Sequence, residues 1–301
     1  MKTSTMTRRH LLAATVAATL CTLATAGNTV AQAPAPAPTL YFSAIPDEDE
    51  TKLAARFNKV AAYLSKELGF PVQYIPLKSY PASVAAFKND QIQLAWFGGL
   101  TGVQAQRAVP GSQAIAQGEE DKAFVTYFIT NAATGIAAGD DLPKAIAGKT
   151  FTFGAKTSTS GRLMPEFHLR KIFGKSPDEV FSKVGYSGDH TKTVELVQSG
   201  AFDVGAVNFS SFDDMVKNGK ADPAKVKVIW KTPPFPDYNW TIRGDVDTRF
   251  GAGMLDKVRT AILGMKDPAL LEAFPRKSFI PAQNSDYAPI EATARQLGLL
   301  D

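Results

Sequence analysis

Cysteine and histidine are scarce in this chain, with one and three residues among 301. The lone Cys21 sits inside an apolar run, and Leu20 precedes it where a lipid-attachment signal needs a small residue, so lipidation there is not expected. With no Cys-x-x-Cys and no His-x-x-x-His pattern, a zinc site is not expected. There is no Gly-x-Ser-x-Gly elbow. Ser158 or Ser160 could in principle be partnered by His190, but nothing marks a third member. His10 lies in the first residues, and His168 lies mid-helix between Phe167 and Leu169, where it reads as structural. Catalytic residues, metal and cofactor are therefore all expected to be none. A phosphate-cradling Gly-x-x-x-x-Gly-Lys-Ser/Thr loop is also missing, which disfavours nucleotides. The formal charge of +4 includes Lys2, Arg8 and Arg9. The rest is close to neutral and lacks the basic surface that nucleic acid requires.

Those three basic residues belong to a recognisable start. A basic Met1–Arg9, an apolar Leu11–Ala26 and small residues at Ala31 and Ala33 form the three parts of a secretory signal. Residues 1–33 are read as that signal, and 34–38 as a Pro/Ala leader. The run is too short and too interrupted to span a bilayer. Thr7-Arg8-Arg9-His10-Leu11-Leu12 also suits the twin-arginine route, so both export routes stay open. The expected location is the periplasm.

Beyond the leader, strand-like and helix-like patterns alternate. Thr39–Ala44, Val72–Pro76, Leu94–Phe97 and Gln113–Ala116 read as strands. Glu50–Leu68, Tyr80–Asn89 and Leu100–Ala108 read as helices. Phe124–Thr130 reads as a strand leaving this unit. A second unit follows, with strands at Thr150–Phe153, Val184–Tyr186, Val204–Val207 and Val226–Trp230 and helices between them. This predicts an α/β fold of two lobes with mostly parallel sheets. Lobe 1 takes residues 39–130 and 232–301, and lobe 2 takes 131–231. Crossovers fall near Tyr127–Ala133 and Lys231–Pro236. Ligands of such sheets sit beyond the carboxyl ends of the strands, which here means a cleft between the lobes.

Several strand-to-helix turns point there. Phe153 to Gly161 carries four successive hydroxyls, Thr157 to Ser160, with a glycine near each end. Free amides and the positive end of a helix suit an anion, and a helix cap alone would need one hydroxyl. Ser158, Thr159, Ser160 and Gly161 are candidate ligand groups. His190 opens a helix after Ser187-Gly188-Asp189 and can donate from either ring nitrogen, or it is a surface histidine beside a cap. After Leu94–Phe97, Gly98 and Gly99 allow close backbone approach, and Thr101 is a further candidate ligand group. Trp96 and Phe97 either wall the site or belong to the core. Asp47, after Ile45-Pro46, is explained equally by a turn. Asn208 follows another strand and is a weak signal alone.

These stretches carry a resemblance. Phe42 to Asp47, Gln93 to Gly102, Ala116 to Glu119, Ser158 to Gly161, Gly188 to His190 and Asp203 to Asn208 resemble periplasmic phosphonate/phosphite-type binding proteins of ABC importers. Trp96-Phe97-Gly98-Gly99-Leu100-Thr101-Gly102 looks most like the selenate-binding branch. The resemblance implies a type II periplasmic binding fold and oxyanion contacts from Ser158, Thr159 and Ser160, with His190 assisting. It also implies an aromatic contact from Trp96 or Phe97 and a membrane permease as partner. Relatives often carry Asp after the His, where Thr191 stands, and many carry Asp where Asn208 stands. A neutral Asn208 suits a fully ionised tetrahedral oxyanion, or one whose proton is read elsewhere. The expected protein is a monomeric, non-enzymatic binder of a small oxyanion. Alternatives are a small organic ligand stacked on aromatics, a sensory binder feeding a membrane receptor, or an exported hydrolase.

Overall fold

The computed structural model describes residues 38–300, so the expected signal and nearly all of the leader lie outside the described residues. The strands are β1 (Leu40–Ala44), β2 (Val72–Tyr74), β3 (Leu94–Phe97), β4 (Gln113–Gly118), β5 (Thr126–Asn131), β6 (Thr150–Phe153), β7 (Lys183–Tyr186), β8 (Val204–Asn208), β9 (Val226–Lys231), β10 (Asn239–Ile242) and β11 (Phe279–Pro281). They form a six-stranded sheet, ordered β11-β4-β10-β3-β1-β2, and a five-stranded sheet, ordered β7-β6-β8-β5-β9.

Both sheets are mixed. β10 enters between β3 and β4 and runs antiparallel to each. β5 runs antiparallel to β8 and β9. The sequence pattern misses β10 and β11. Asn239, Trp240, Thr241 and Ile242 are all fully buried, so β10 shows no inside–outside alternation, and it follows a proline-rich stretch. The boundary at residue 130 is corrected as well. Thr126–Asn131 is an inner strand of the second sheet, so the chain has already crossed by Phe124. There Phe124 and Phe235 exchange backbone hydrogen bonds at 2.9 Å in both directions. The two crossover segments run side by side at that bridge.

The helices follow from apolar spacing and caps. In α1 (Glu50–Leu68), Leu53, Phe57, Val60, Ala61 and Leu64 make one buried face. The Asp49 side chain accepts the Lys52 amide, and Gly69 ends the helix with φ of 76°, a conformation glycine adopts without strain. Burying Leu53, Phe57, Val60 and Leu64 contributes about 1.5–3 kcal/mol each. In the second sheet, alternation splits β5. Phe128 packs with Phe151, Phe153 and Trp230 on one face, while Tyr127 and Ile129 pack with Val194, Val197 and Val207 on the other. Among the described residues, no helix is long and apolar enough to cross a membrane.

Candidate functional site

The turn after β6 is shaped by two glycines. A Cβ on Gly154 would lie 3.2 Å from the Gly161 Cα, and the Gly154 amide donates to the Gly161 carbonyl at 2.8 Å. This contact folds the hydroxyl run back over the strand end. Ser158 caps it by accepting the Gly161 amide at 2.9 Å. Residues Thr159–Leu163 then wind as a widened π-type turn into the helix Met164–Phe173. Such widened turns occur often at functional sites, and the first amides of the turn have no partner behind them.

Ser158, Thr159 and Ser160 are buried, at 1–2% exposure, and face the other lobe. The Thr159 hydroxyl accepts the Leu100 amide at 2.9 Å, which ties the turn to the helix Gly99–Ala108. Gly98 leaves room for this, since a Cβ there would meet Thr159 Oγ1 at 3.3 Å. The Ser160 carbonyl accepts the Thr126 hydroxyl at 2.7 Å. A second tie crosses the lobes where the His190 amide donates to the Asp47 carbonyl at 3.0 Å.

His190 opens a helix, His190–Gln198, capped by Asp189. Its Nδ1 accepts the Asn208 amide at 3.3 Å, so Nε2 carries the proton. Burial lowers its pKa to about 3, which makes it a neutral donor. Nε2 is buried with no hydrogen-bond partner, and the ring's Cε1 lies 3.1 Å from where a Gly161 Cβ would be. Three more buried polar atoms at or around this turn have no partner: the Thr157 hydroxyl, the Tyr80 hydroxyl and Asp237 Oδ2. Tyr80 lies beside Ser158, and the Thr159 and Ser160 hydroxyls face the Asp237 carboxyl. A buried polar atom without a partner costs about 1–3 kcal/mol, so four at one turn mark a place built for a polar guest.

The electrostatics are unusual for an anion site. Arg162, the one base in the turn, stacks over Phe153 and Tyr186 and pairs with Glu166. Two acids stand nearby instead. Burial, with Glu48 next to it, raises Asp47 to about 7, and burial raises Asp237 to about 6. Asp47 accepts the Tyr238 hydroxyl at 2.8 Å, and Tyr238 accepts the Asn208 amide group at 3.0 Å. Arg276 does not face the turn. It forks onto Asp121 at 2.7 and 2.8 Å and lies over the Phe124 and Tyr238 rings.

The expected site residues therefore divide. Ser158, Thr159, Ser160, Gly161, His190, Gly98 and the Asp47 backbone meet between the lobes. Asn208 holds His190 and Tyr238, and its side-chain oxygen caps the next helix at Ser211. Trp96 is 4% exposed, stacks on Tyr238 and packs against Trp240, Phe274 and Phe279. It also borders a cavity of about 20 Å³ with Asp47 and Asn208. Phe97 is fully buried against Phe87. Thr101 bonds the Gly98 carbonyl at 3.1 Å. Tyr80 and Asp237 were missed. Tyr80 does open a helix after a strand, as the other candidates do, while Asp237 lies in a crossover and carries no such signal. On the solvent side, a cleft of about 600 Å³ is lined by both lobes, including Pro46, Lys78, Tyr80, Lys156 and Asp189. Among the described residues, no three His, Cys, Asp or Glu side chains form a metal-binding group.

Two mixed α/β lobes, a paired crossover and a set of buried polar groups between them define the class of two-lobed solute-binding proteins. The comparisons give the family. Residues 42–287 match the family described as ABC transporter, phosphonate, periplasmic substrate-binding protein, and the chain belongs to it. It is 37% identical over 265 residues to the probable ABC transporter phosphite binding protein PhnD1 of Prochlorococcus marinus, covering 86% of this chain and 89% of that one. The solved structure of that PhnD1 with methylphosphonate superposes with a TM-score of 0.83, covering 87% of this chain and 99% of the other. The phosphate-import protein PhnD of Mycolicibacterium smegmatis is 25% identical over 239 residues, covering 74% of this chain and 70% of that one. The binding component of a Pseudomonas aeruginosa ABC phosphonate transporter, 20% identical with a TM-score of 0.74 over 85% of each chain, shares the fold.

Proposed function

We propose that this chain captures a small tetrahedral oxyanion of the phosphonate or phosphite type between its lobes and presents it to the permease of an ABC importer. One observation carries the reading: buried polar atoms without partners on Tyr80, His190 and Asp237 surround the Ser158–Gly161 turn. The guest oxygens would take the Ser158 and Ser160 hydroxyls, the first amides of the turn, the Tyr80 hydroxyl and His190 Nε2. Hydrogen bonds to a charged group contribute about 1.5–3 kcal/mol each. Four or five, less desolvation and closure, reach the roughly 8 kcal/mol of micromolar binding.

Closure follows from the same contacts. Ser158, Ser160 and His190 lie in one lobe and Tyr80 in the other, so only the closed form satisfies all of them, and the guest shifts the equilibrium toward closure. No covalent step is required, which makes the chain a carrier and not an enzyme. It acts as a monomer in the periplasm, with residues 1–33 as its export signal. Phosphonate and phosphite fit the relatives named above, and selenate joins the trial guests only because of the resemblance carried by Trp96–Gly102. Calorimetric titration with phosphite, methylphosphonate, phosphate, selenate and sulfate tests the reading. At least one should bind at micromolar strength or tighter, and Ser160→Ala should weaken it about tenfold or more. If none binds, or if Ser160→Ala binds as tightly as wild type, the reading fails.

A further inference from the structure

Asp237 poses a question that the anion reading leaves open. It is 1% exposed and lies in the second crossover segment, where it meets both lobes. Its Oδ1 accepts the Gly99 amide at 2.9 Å, and its own amide donates to the Asp121 carbonyl at 3.0 Å, so its position is fixed. The Thr159 and Ser160 hydroxyls face it from the second lobe, yet Oδ2 has no partner. A carboxylate oxygen pointed at an anion site is repulsive unless a proton lies between the two. An ionised carboxylate only accepts hydrogen bonds, so its natural counterpart is an acidic P–OH.

We propose that Asp237 reads a proton on the guest: its Oδ2 and one guest oxygen share a single hydrogen, and the site selects proton-bearing oxyanions over sulfate- or selenate-like ones. This rests on the anion reading above and narrows its ligand class. Asn208 does not serve as this acceptor, since its side-chain amide is directed to Tyr238 at 3.0 Å and its side-chain oxygen caps Ser211.

The surroundings support one proton at this place. The groups around Asp237 that titrate or carry charge are Asp121, Tyr80, Tyr238 and Tyr287. Asp121 is held by Arg276. The three phenols are pushed upward, chiefly by burial, and stay neutral. No base contacts Oδ2. Burial brings the carboxyl up to about 6, close to where a proton can be shared with a weakly acidic P–OH.

The test has two arms. Calorimetry with methylphosphonate, phosphite, selenate and sulfate compares wild type with Asp237→Asn, which keeps an acceptor for Gly99. Wild type should prefer the first two by about 100-fold, and the variant should narrow that ratio by about tenfold or more. An unchanged ratio overturns the inference, as does a wild type that prefers selenate. The second arm uses wild type alone, so a variant that fails to fold does no harm. Titration with methylphosphonate above its second ionisation, in buffers of different ionisation heat, should show uptake of about one proton per guest. No uptake overturns the inference. A wild type that binds none of the four anions fails the anion reading itself, and this inference falls with it.

Discussion

His190 offers the sharpest test of how the site holds charge. Its Nδ1 is occupied by the Asn208 amide at 3.3 Å, its Nε2 is buried without a partner, and burial holds the ring near a pKa of about 3. The imidazole should therefore act as a neutral donor throughout pH 5–9, not as a cation. Replacing it in His190→Phe keeps the ring volume and removes one hydrogen bond to an anion. That bond is worth about 1.5–3 kcal/mol, so Kd should rise roughly 10- to 150-fold. The charge state is readable directly. NMR of the imidazole Cε1–H in the methylphosphonate complex should show no titration between pH 5 and 9. An imidazole that titrates near its ordinary value of 6.5 or higher in the complex would refute the neutral-donor argument, because the bound form would then contain an imidazolium.

Three further outcomes follow from named contacts. Gly161→Ala places a methyl 3.0 Å from Ser158 Oγ and 3.1 Å from both Gly154 Cα and His190 Cε1; overpacking of this kind costs about 1–3 kcal/mol, and thermal unfolding should show it together with weakened anion binding. Arg276→Met strands Asp121, 0% exposed, and should cost about 3–5 kcal/mol in urea unfolding; adding Asp121→Asn should recover part of the loss, since a neutral amide needs no counter-charge. Asp47, raised to about 7 by burial and Glu48, binds its proton more tightly folded than unfolded, so its contribution is complete below about 4 and is lost as pH climbs through 7. Asp47→Asn should therefore gain about 2 kcal/mol on wild type between pH 5.5 and 8.5. His190 and His168, lowered to about 3 and about 4 mainly by burial, act in the opposite sense and destabilise as pH falls below 6.5; they leave the pH 7–8.5 window to Asp47.

How much of this was legible beforehand depended on whether the cause was local. The helix Glu50–Leu68 and the strands Leu94–Phe97 and Thr150–Phe153 are found at the expected bounds, because apolar spacing and caps lie within each segment. The hydroxyl run was visible for the same reason. The partner of a strand is not local information. Thr126–Asn131 reads as a strand of either lobe until its pairing with β8 and β9 is known, and β10 has no pattern because both its faces are buried. Asp237 and Tyr80 acquire meaning only when a crossover and a helix start from one lobe meet the Ser158–Gly161 turn of the other. Asn208 was expected to donate to the guest. Its hydrogen bond to Tyr238 comes from an element that no local pattern could have placed beside it.

A crystal structure of the chain grown with methylphosphonate tests the central claim most directly. The account predicts the phosphonate enclosed between the lobes, with its oxygens within hydrogen-bond distance of the Ser158 and Ser160 hydroxyls and His190 Nε2. Phosphonate found only in the outer cleft beside Lys78 and Lys156, or held by an arginine or lysine with the Ser158–Gly161 turn untouched, would contradict it.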